Sequence, residues 1–518
     1  MNCGRVPQCR LRAGATVNKF IRHPWSVISP RYYSVVRGRS PFIAIIGSGP
    51  AGFYTAQRLM RKLSGTQIDM YEGLAAPFGL SRYGVAPDHP EVKECEKSFE
   101  DVAKDPNFKF YGNLSVGSRG VVGGFHGCAV RLSSLLRNYD GIVFAYGSSK
   151  DRILGVPGED MKGVYSAREF VAWYNSHPSF SEIDFPQLRE AEEATIIGQG
   201  NVALDVARML LTPVDELRKT DMADYALEAL SRSRIRRVHL VGRRGAMQAA
   251  FTRKELRELQ ELYPKAYLQS QHFPADLLPP KVTDRVKKRM LQTFHALREM
   301  SPSADPEAKS WSLDFLLSPT SFYGSGSVEG TAFAVNQLSD PFADNAKAIA
   351  TDESVKIPSQ LVFRSIGYKA VPLDGFAELN IGFDTRKGCI LNDGMGRVGS
   401  TETLDEKPVA IPGLYCVGWA KNGPIGKIVN TFQDANDTAE NIIADWKSGS
   451  RFLSDSQAEP PQGMSKVQED IDTNLSDIVS WEDWVRVDTQ ERLEGQALGK
   501  PRVKMVAHKE LSQEAKVP

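Results

Sequence analysis

Two short apolar strands, each running into a glycine-rich turn and then a helix, constrain this chain more than any other feature. The first is Phe42 to Ile46 (FIAII), then Gly47-Ser48-Gly49-Pro50-Ala51-Gly52, then a stretch with helical spacing to Leu63. Gln67 to Tyr71 reads as the next strand, closing on Glu72. The second is Ala194 to Ile197 (ATII), then Gly198-Gln199-Gly200-Asn201-Val202-Ala203, then a helix-spaced run to Leu211. Its next strand, Arg237 to Val241, ends at Gly242-Arg243-Arg244. The order strand, glycine turn, helix, strand, charged residue is the context in which a dinucleotide fingerprint is meaningful.

The residue types follow from the chemistry of a pyrophosphate. Gly47 permits a tight turn, Gly49 lets the backbone approach the phosphates, and Gly52 allows close packing of helix on strand. The helix N-terminus then offers amide hydrogens and a partial positive charge. An acid at the end of the second strand, here Glu72, accepts hydrogen bonds from a ribose 2′-hydroxyl, as in FAD. A basic pair, Arg243 and Arg244, gives a planar, multidentate grip on a 2′-phosphate, as in NADPH. Ala203 in place of a third glycine suits the second site. One polypeptide is thus expected to bind both FAD and NADPH.

At 518 residues the chain exceeds what one core usually supports, so more than one domain is expected. The formal net charge of +1 gives no global sign of nucleic-acid binding, and any basic docking face must be local. No apolar run is long enough to span a bilayer. Residues 1–40 differ from the rest: seven Arg, one Lys and no acid, the first carboxylate being Asp69. Arg-rich, acid-poor and partly amphipathic, this segment reads as a mitochondrial transit peptide, with a cut expected between Tyr33 and Ser34; a basic tail without targeting function is the alternative.

Six cysteines are present, two of them (Cys3 and Cys9) in the presequence, and none forms a CxxC or CxxxxC pair. A disulfide framework or zinc site is not expected, and no metal is assigned. A dithiol relay, as in flavin disulfide reductases, is therefore missing, and electrons reaching a flavin must leave by another route.

Two segments, Ala145-Tyr146-Gly147 and Arg364 to Tyr368, follow apolar strands and flank the second nucleotide unit. They read as the two crossings between domains. The expected fold is α/β, with two Rossmann-like dinucleotide-binding domains of the glutathione-reductase-like superfamily, the NADPH domain being inserted into a discontinuous FAD domain. The divisions expected are a transit peptide at 1–40, FAD domain at 41–147, NADPH domain at 148–365, and FAD domain with C-terminal tail at 366–518.

The motifs GSGPAGFYTAQ, PFGLSRYGVAPDHPEVK, GQGNVALDVARMLLTP, VGRRG, FTRKELREL, SIGYK, GLYCVGW, NGPIG and WEDW with GKPR resemble the mitochondrial NADPH:adrenodoxin (ferredoxin) oxidoreductase family from Phe42 to about Arg502. The resemblance implies FAD contacts at Ala51, Glu72, Leu80, Val116, Trp419, Gly426, Lys427 and Ile428, beside the fingerprint glycines. It implies NADPH contacts at Gln199, Gly200, Asn201, Val202, Arg243, Arg244 and Glu255, with Gly426 near both cofactors. Hydride transfer between nicotinamide and flavin needs no protein acid or base, so the protein supplies positioning and electrostatics. No residue is assigned as certainly catalytic; His89 in the PDHP loop and Asp205 on the NADPH-side helix are candidates for tuning the site.

The resemblance further implies single-electron delivery to a mitochondrial [2Fe-2S] ferredoxin of adrenodoxin type, feeding cytochrome P450 or iron–sulfur and haem biosynthesis. It also implies peripheral association with the inner membrane. Such ferredoxins are acidic, and Arg257, Arg285, Lys288 and Arg289 match family positions for docking them. Nucleic acid is a poor alternative because aromatic interleaving is missing. A flavin monooxygenase would share both fingerprints but would want a further substrate pocket, and a non-catalytic NADP-binding protein would have lost the first. One departure from the family is SRGVVGGFHGCAVRL after Val116, about ten residues longer than expected. It is rich in glycine and expected to be poor in regular structure, as a loop insertion or a retained intron.

Overall fold

The computed structural model describes residues 38–506, apart from 118–120, 123–124, 274–277, 280–281, 405–406, 427 and 472–474. The chain builds two six-stranded sheets in separate layers. Strand Phe42–Ile46 is central to the first, pairing in parallel with Gln67–Tyr71 on one side and Gly141–Phe144 on the other. Ile43 and Ile45 join the core on one face, and Ala44 and Ile46 the core on the other. That is why the strand reads as unbroken apolar sequence instead of alternating.

After Phe144 the chain leaves this sheet and builds the second. There Val164–Ser166, Leu361–Arg364, Glu193–Ile197, Arg237–Val241, Lys309–Asp314 and Ala266–Leu268 lie side by side, all parallel. An antiparallel sheet of Leu317–Tyr323, Gly330–Leu338 and Ala348–Pro358 packs beside it. The chain then returns, and Leu414–Cys416 pairs in parallel with Ile142–Phe144 in the first sheet. One nucleotide-type unit is therefore inserted in the other.

The outward and return crossings pair with each other: Lys150–Asp151 and Tyr368–Lys369 form a two-stranded antiparallel ribbon. Gly147 (φ +69°) and Gly367 (φ +97°) stand at its ends, both in left-handed conformations that favour glycine.

Arg39 and Ser40 are tied into the first domain, which therefore reaches further toward the N-terminus than the expected boundary at 41. Both guanidinium ends of Arg39 donate to Asp140 at 2.6 Å, and Ser40 Oγ donates to the Ser64 carbonyl at 2.7 Å. The expected transit segment otherwise lies outside the described residues. So does part of the extra segment after Val116. Where it is described, Val121–Val122 and Phe125–His126 pair as a short hairpin, and Cys128–Val130 runs parallel to Leu114–Val116. Backbone pairing there exceeds what its glycine content suggested.

Candidate dinucleotide sites and the interdomain cluster

The helix Pro50–Lys62 starts at the end of strand Phe42–Ile46 with no side-chain cap and no acid in its first turn. Helix Asn201–Leu211 starts in the same way behind Gly200. Helices Ala167–Tyr174 and Trp481–Ala497, by contrast, carry full capping boxes from Ser166–Glu169 and Ser480–Asp483. The amide hydrogens at the two glycine turns are thus left for an outside anion.

A Cβ at Gly49 or at Gly200 would meet nothing within 4 Å, so both second glycines front open space where a phosphate can approach the backbone. Gly47 (φ +106°) and Gly198 (φ +128°) are closed on the opposite side, where a Cβ would meet Ala145 O at 2.5 Å and Ser365 O at 2.0 Å. Each turn is pressed against one of the interdomain crossings. The residues present fit two pyrophosphates.

At the first turn, Glu72 is half-buried and firmly held. Its Oε2 accepts from Ser48 N at 3.0 Å and Ser48 Oγ at 2.7 Å, and its Oε1 accepts from Leu74 N at 3.0 Å. Phe78 N donates to Ser48 O at 3.0 Å, which docks the following loop on the turn and brings Leu80, 38% exposed, beside it. Leu114 N donates to Glu72 O, so the strand bearing Val116 starts at the acid. A Cβ on Gly418 (φ +65°) would lie 2.7 Å from Ala51 Cβ, which places the turn before Trp419 against the helix start. Gly426 (φ +89°) and Ile428 lead into helix Ile428–Lys447, while Lys427 lies outside the described residues. Sequence reasoning missed Asp434, which accepts from Gly418 N at 2.7 Å and pairs with Lys421 at 2.8 Å.

At the second turn the side chain of Gln199 points back into the sheet, its Nε2 donating to Leu240 O and Asp314 O. Only its backbone is free to meet a nucleotide. Asn201 Oδ1 accepts from Thr252 N at 2.9 Å, pinning the start of helix Arg253–Gln260, which carries buried Glu255, close to Val202. The main chain of the arginine pair is fixed by Asn336 Nδ2 to Arg243 O at 2.9 Å and Leu316 N to Arg244 O at 3.2 Å. Arg243 is exposed and Arg244 half-buried, and among the described residues neither guanidinium has an ion-pair partner. Two guanidiniums unpaired among the described residues, on a fixed main chain, suit a dianionic phosphate.

His89 and Asp205 come together, through residues the sequence did not single out. Asp205 accepts from Arg208 at 2.8 Å, Arg208 also grips Asp88 at 2.5 Å, and its Nη1 lies 3.5 Å from Glu258. Glu258 in turn bonds His89 Nε2 at 2.9 Å. Burial works against ionisation of Asp88, but Arg208 outweighs it and holds the carboxyl below its usual range. Burial lifts the Asp205 carboxyl, with Arg208 opposing. The cluster joins the PDHP loop of the first domain to two helices of the second. The i,i+3 spacing of Asp205 and Arg208 was visible beforehand; Glu258 was not.

Of the expected docking residues, Arg285, Lys288 and Arg289 are exposed on helix Arg285–Arg298, with no ion-pair partner among the described residues. Arg257 lies on the neighbouring helix, joined to this one by Arg253 Nε to Thr293 Oγ1 at 2.9 Å. Cys95, Cys389 and Cys416 are free thiols.

Fold and sites together define a flavin oxidoreductase with two dinucleotide domains. Residues 42–261 match the family of pyridine nucleotide-disulphide oxidoreductases. The chain is 40% identical to a probable mitochondrial NADPH:adrenodoxin oxidoreductase of Schizosaccharomyces pombe, over 86% of this chain and 89% of that protein. It is 38% identical to the mitochondrial NADPH:adrenodoxin oxidoreductase of Bos taurus, over 91% and 92%. A solved structure of Mycobacterium tuberculosis FprA in complex with NADPH superposes with a TM-score of 0.78 at 36% identity, covering 92% of this chain and all of that one. The chain belongs to the NADPH:adrenodoxin oxidoreductase family, and FAD and NADPH are its cofactors.

Proposed function

We propose that this chain moves electrons from NADPH through FAD to a [2Fe-2S] ferredoxin. The observation that carries the reading is the pair of uncapped glycine turns, one closed by Glu72 and the other by two free arginines. When bound, FAD accepts a hydride from NADPH and releases electrons singly. The residues of the chain bind, orient and shield. Gly47, Gly49, Gly52 and the start of helix Pro50–Lys62 would hold the FAD pyrophosphate, with Glu72 on its ribose. Ala51, Leu80, Val116, Trp419 and Gly426 to Ile428 would line the rest. The backbone of Gln199 to Val202 would hold NADPH, with Arg243 and Arg244 on the 2′-phosphate and Glu255 and Gly426 along its length. His89 and Asp205, coupled through Arg208 and Glu258, would set the electrostatics where the domains meet.

The named relatives support a mitochondrial location, and the acid-free N-terminus supports import to the matrix. No helix among the described residues is long and apolar enough to cross a membrane. Peripheral attachment is supported by exposed Arg61, Lys62, Lys447 and Arg451. They sit at the shared end of two parallel helices, matched by Tyr54 against Phe432 and Arg58 against Glu440, away from the glycine turns.

The test is NADPH-driven cytochrome c reduction by the purified flavoprotein with and without a [2Fe-2S] ferredoxin. Strong dependence on the ferredoxin is expected, and oxygen insertion without it would favour the monooxygenase.

A further inference from the structure

The C-terminal helix that WEDW opens and the strap that runs on from GKPR are used by none of the chemistry above, yet they build a buried ionic cluster where the two domains meet. Helix Trp481–Ala497 is followed by an extended strap that folds back along it. A Cβ on Gly495 would lie 2.4 Å from Arg502 Cα, so only glycine lets the strap lie this close. Val503 N donates to Glu491 O and Met505 N to Glu491 Oε1, both at 2.9 Å. Glu491, fully buried, also receives both ends of the Arg82 guanidinium.

The strap then reaches across the boundary. Lys504 Nζ, with a side chain 1% exposed, donates to the Arg82 carbonyl at 3.0 Å and to Asn175 Oδ1 at 3.2 Å, and pairs with Asp221 at 3.0 Å. Asn175 and Asp221 belong to the inserted domain. Asp221 also takes Lys93 of the first domain at 2.6 Å, and Asn175 Nδ2 donates to Val85 O at 3.2 Å. One ammonium of the tail thus meets both the inserted domain and the first domain's segment at Arg82.

We propose that Lys504 is a positioning residue for hydride transfer, through which the strap fixes the angle between the two nucleotide domains. Three observations support this. The covalent crossings between the domains form a thin ribbon with glycine at both ends, and interfaces between domains move unless something holds them. Buried ion pairs add little stability against apolar replacements, and their best-attested use is to fix one arrangement over others. The carbonyl that Lys504 holds belongs to the short helix Leu80–Tyr83, whose first residue is assigned to the flavin.

This rests on the two nucleotide assignments, and the test separates the two. Wild-type holoenzyme mixed with NADPH must bleach its flavin absorbance; if it does not, those assignments fail and not the strap. Lys504→Met is expected to keep its FAD and its NADPH affinity. Its flavin reduction by NADPH should slow about tenfold or more, because small misplacements of reacting groups are costly. The long-wavelength charge-transfer band of reduced flavin with NADP⁺ should fade with it. Oxidation of dithionite-reduced enzyme by ferredoxin should stay at the wild-type rate, and Lys504→Arg should restore part of the band. Should Lys504→Met fail to fold, Asp221→Asn, which leaves the strap's own packing in place, carries the same readouts. A normal reduction rate and normal band in the folded variant, even with a lowered thermal midpoint, would show the strap to be a brace only and overturn the proposal.

Discussion

A Cβ placed on Gly52 would lie 2.2 Å from the carbonyl oxygen of Gly47. Helix and turn therefore interlock only while residue 52 has no side chain, and the helix start is aimed by that contact. Gly52→Ala is expected to push the helix away and yield protein poor in FAD, read from the flavin absorbance of the purified variant. Full flavin content in that variant would contradict the assignment.

Arg243 and Arg244 are fixed through their main chain and have free guanidiniums. Charge-assisted hydrogen bonds are worth about 1.5–3 kcal/mol, hence roughly tenfold or more per residue. The double substitution to alanine should weaken NADPH far more than NADH. The ratio of kcat/KM for the two nucleotides checks it, and an unaltered preference would remove the arginines from the phosphate site.

Reversing charge at Arg285, Lys288 and Arg289 should raise the Michaelis constant for ferredoxin while sparing reduction of a small dye. In the wild type the ferredoxin reaction should weaken with added salt, since exposed charges are screened. Equal losses with both acceptors would indicate a flavin defect instead.

Asp69, on strand Gln67–Tyr71 of the first sheet, is 3% exposed, and burial pushes its carboxyl up to about 6 against the hydrogen bonds from Tyr139 and Met464 N. Because its folded value is raised, the stabilisation of the protonated form is complete below the ordinary value of 3.8 and is lost as pH rises through about 6. That corresponds to about 3 kcal/mol. Asp69→Asn should remove this component, so the variant should gain stability relative to wild type as pH rises from 4 to 6, roughly the window these values set. Denaturant melts across that range check it, and parallel curves would refute it.

The fully buried carboxylate of Asp140 is matched by Arg39, Phe42 N and Ser454 Oγ. Processing upstream of Arg39, as at Ser34, keeps that contact. Arg39→Ala should lose stability by about 1.5–3 kcal/mol, the usual worth of hydrogen bonds to a charged group. Equal melting midpoints for the variant and the wild type would count against it.

Where the function needs local geometry, the sequence was readable. Glycine at 47 and 198 is required by positive φ, and glycine at 52 by a contact within its own turn. The insertion of one domain in another could be read because each crossing follows its own apolar strand. Other features were hidden because the sequence carries no distance. Nothing near Gln199 says that its amide turns into the sheet, toward Asp314 O 115 residues away. Nothing near His89 names Glu258, which is 169 residues on.

By itself, then, the sequence determined the two dinucleotide folds, their cofactors and the family, since turn, helix dipole and strand-end charge act between near neighbours. Only the tertiary structure decided how the two units face each other. At the boundary the Arg208 cluster joins residues 120 and 169 positions apart, and the Lys504 strap residues 329 and 422 apart. Their pairing arises from burial of charge at one shared boundary, which no local pattern encodes.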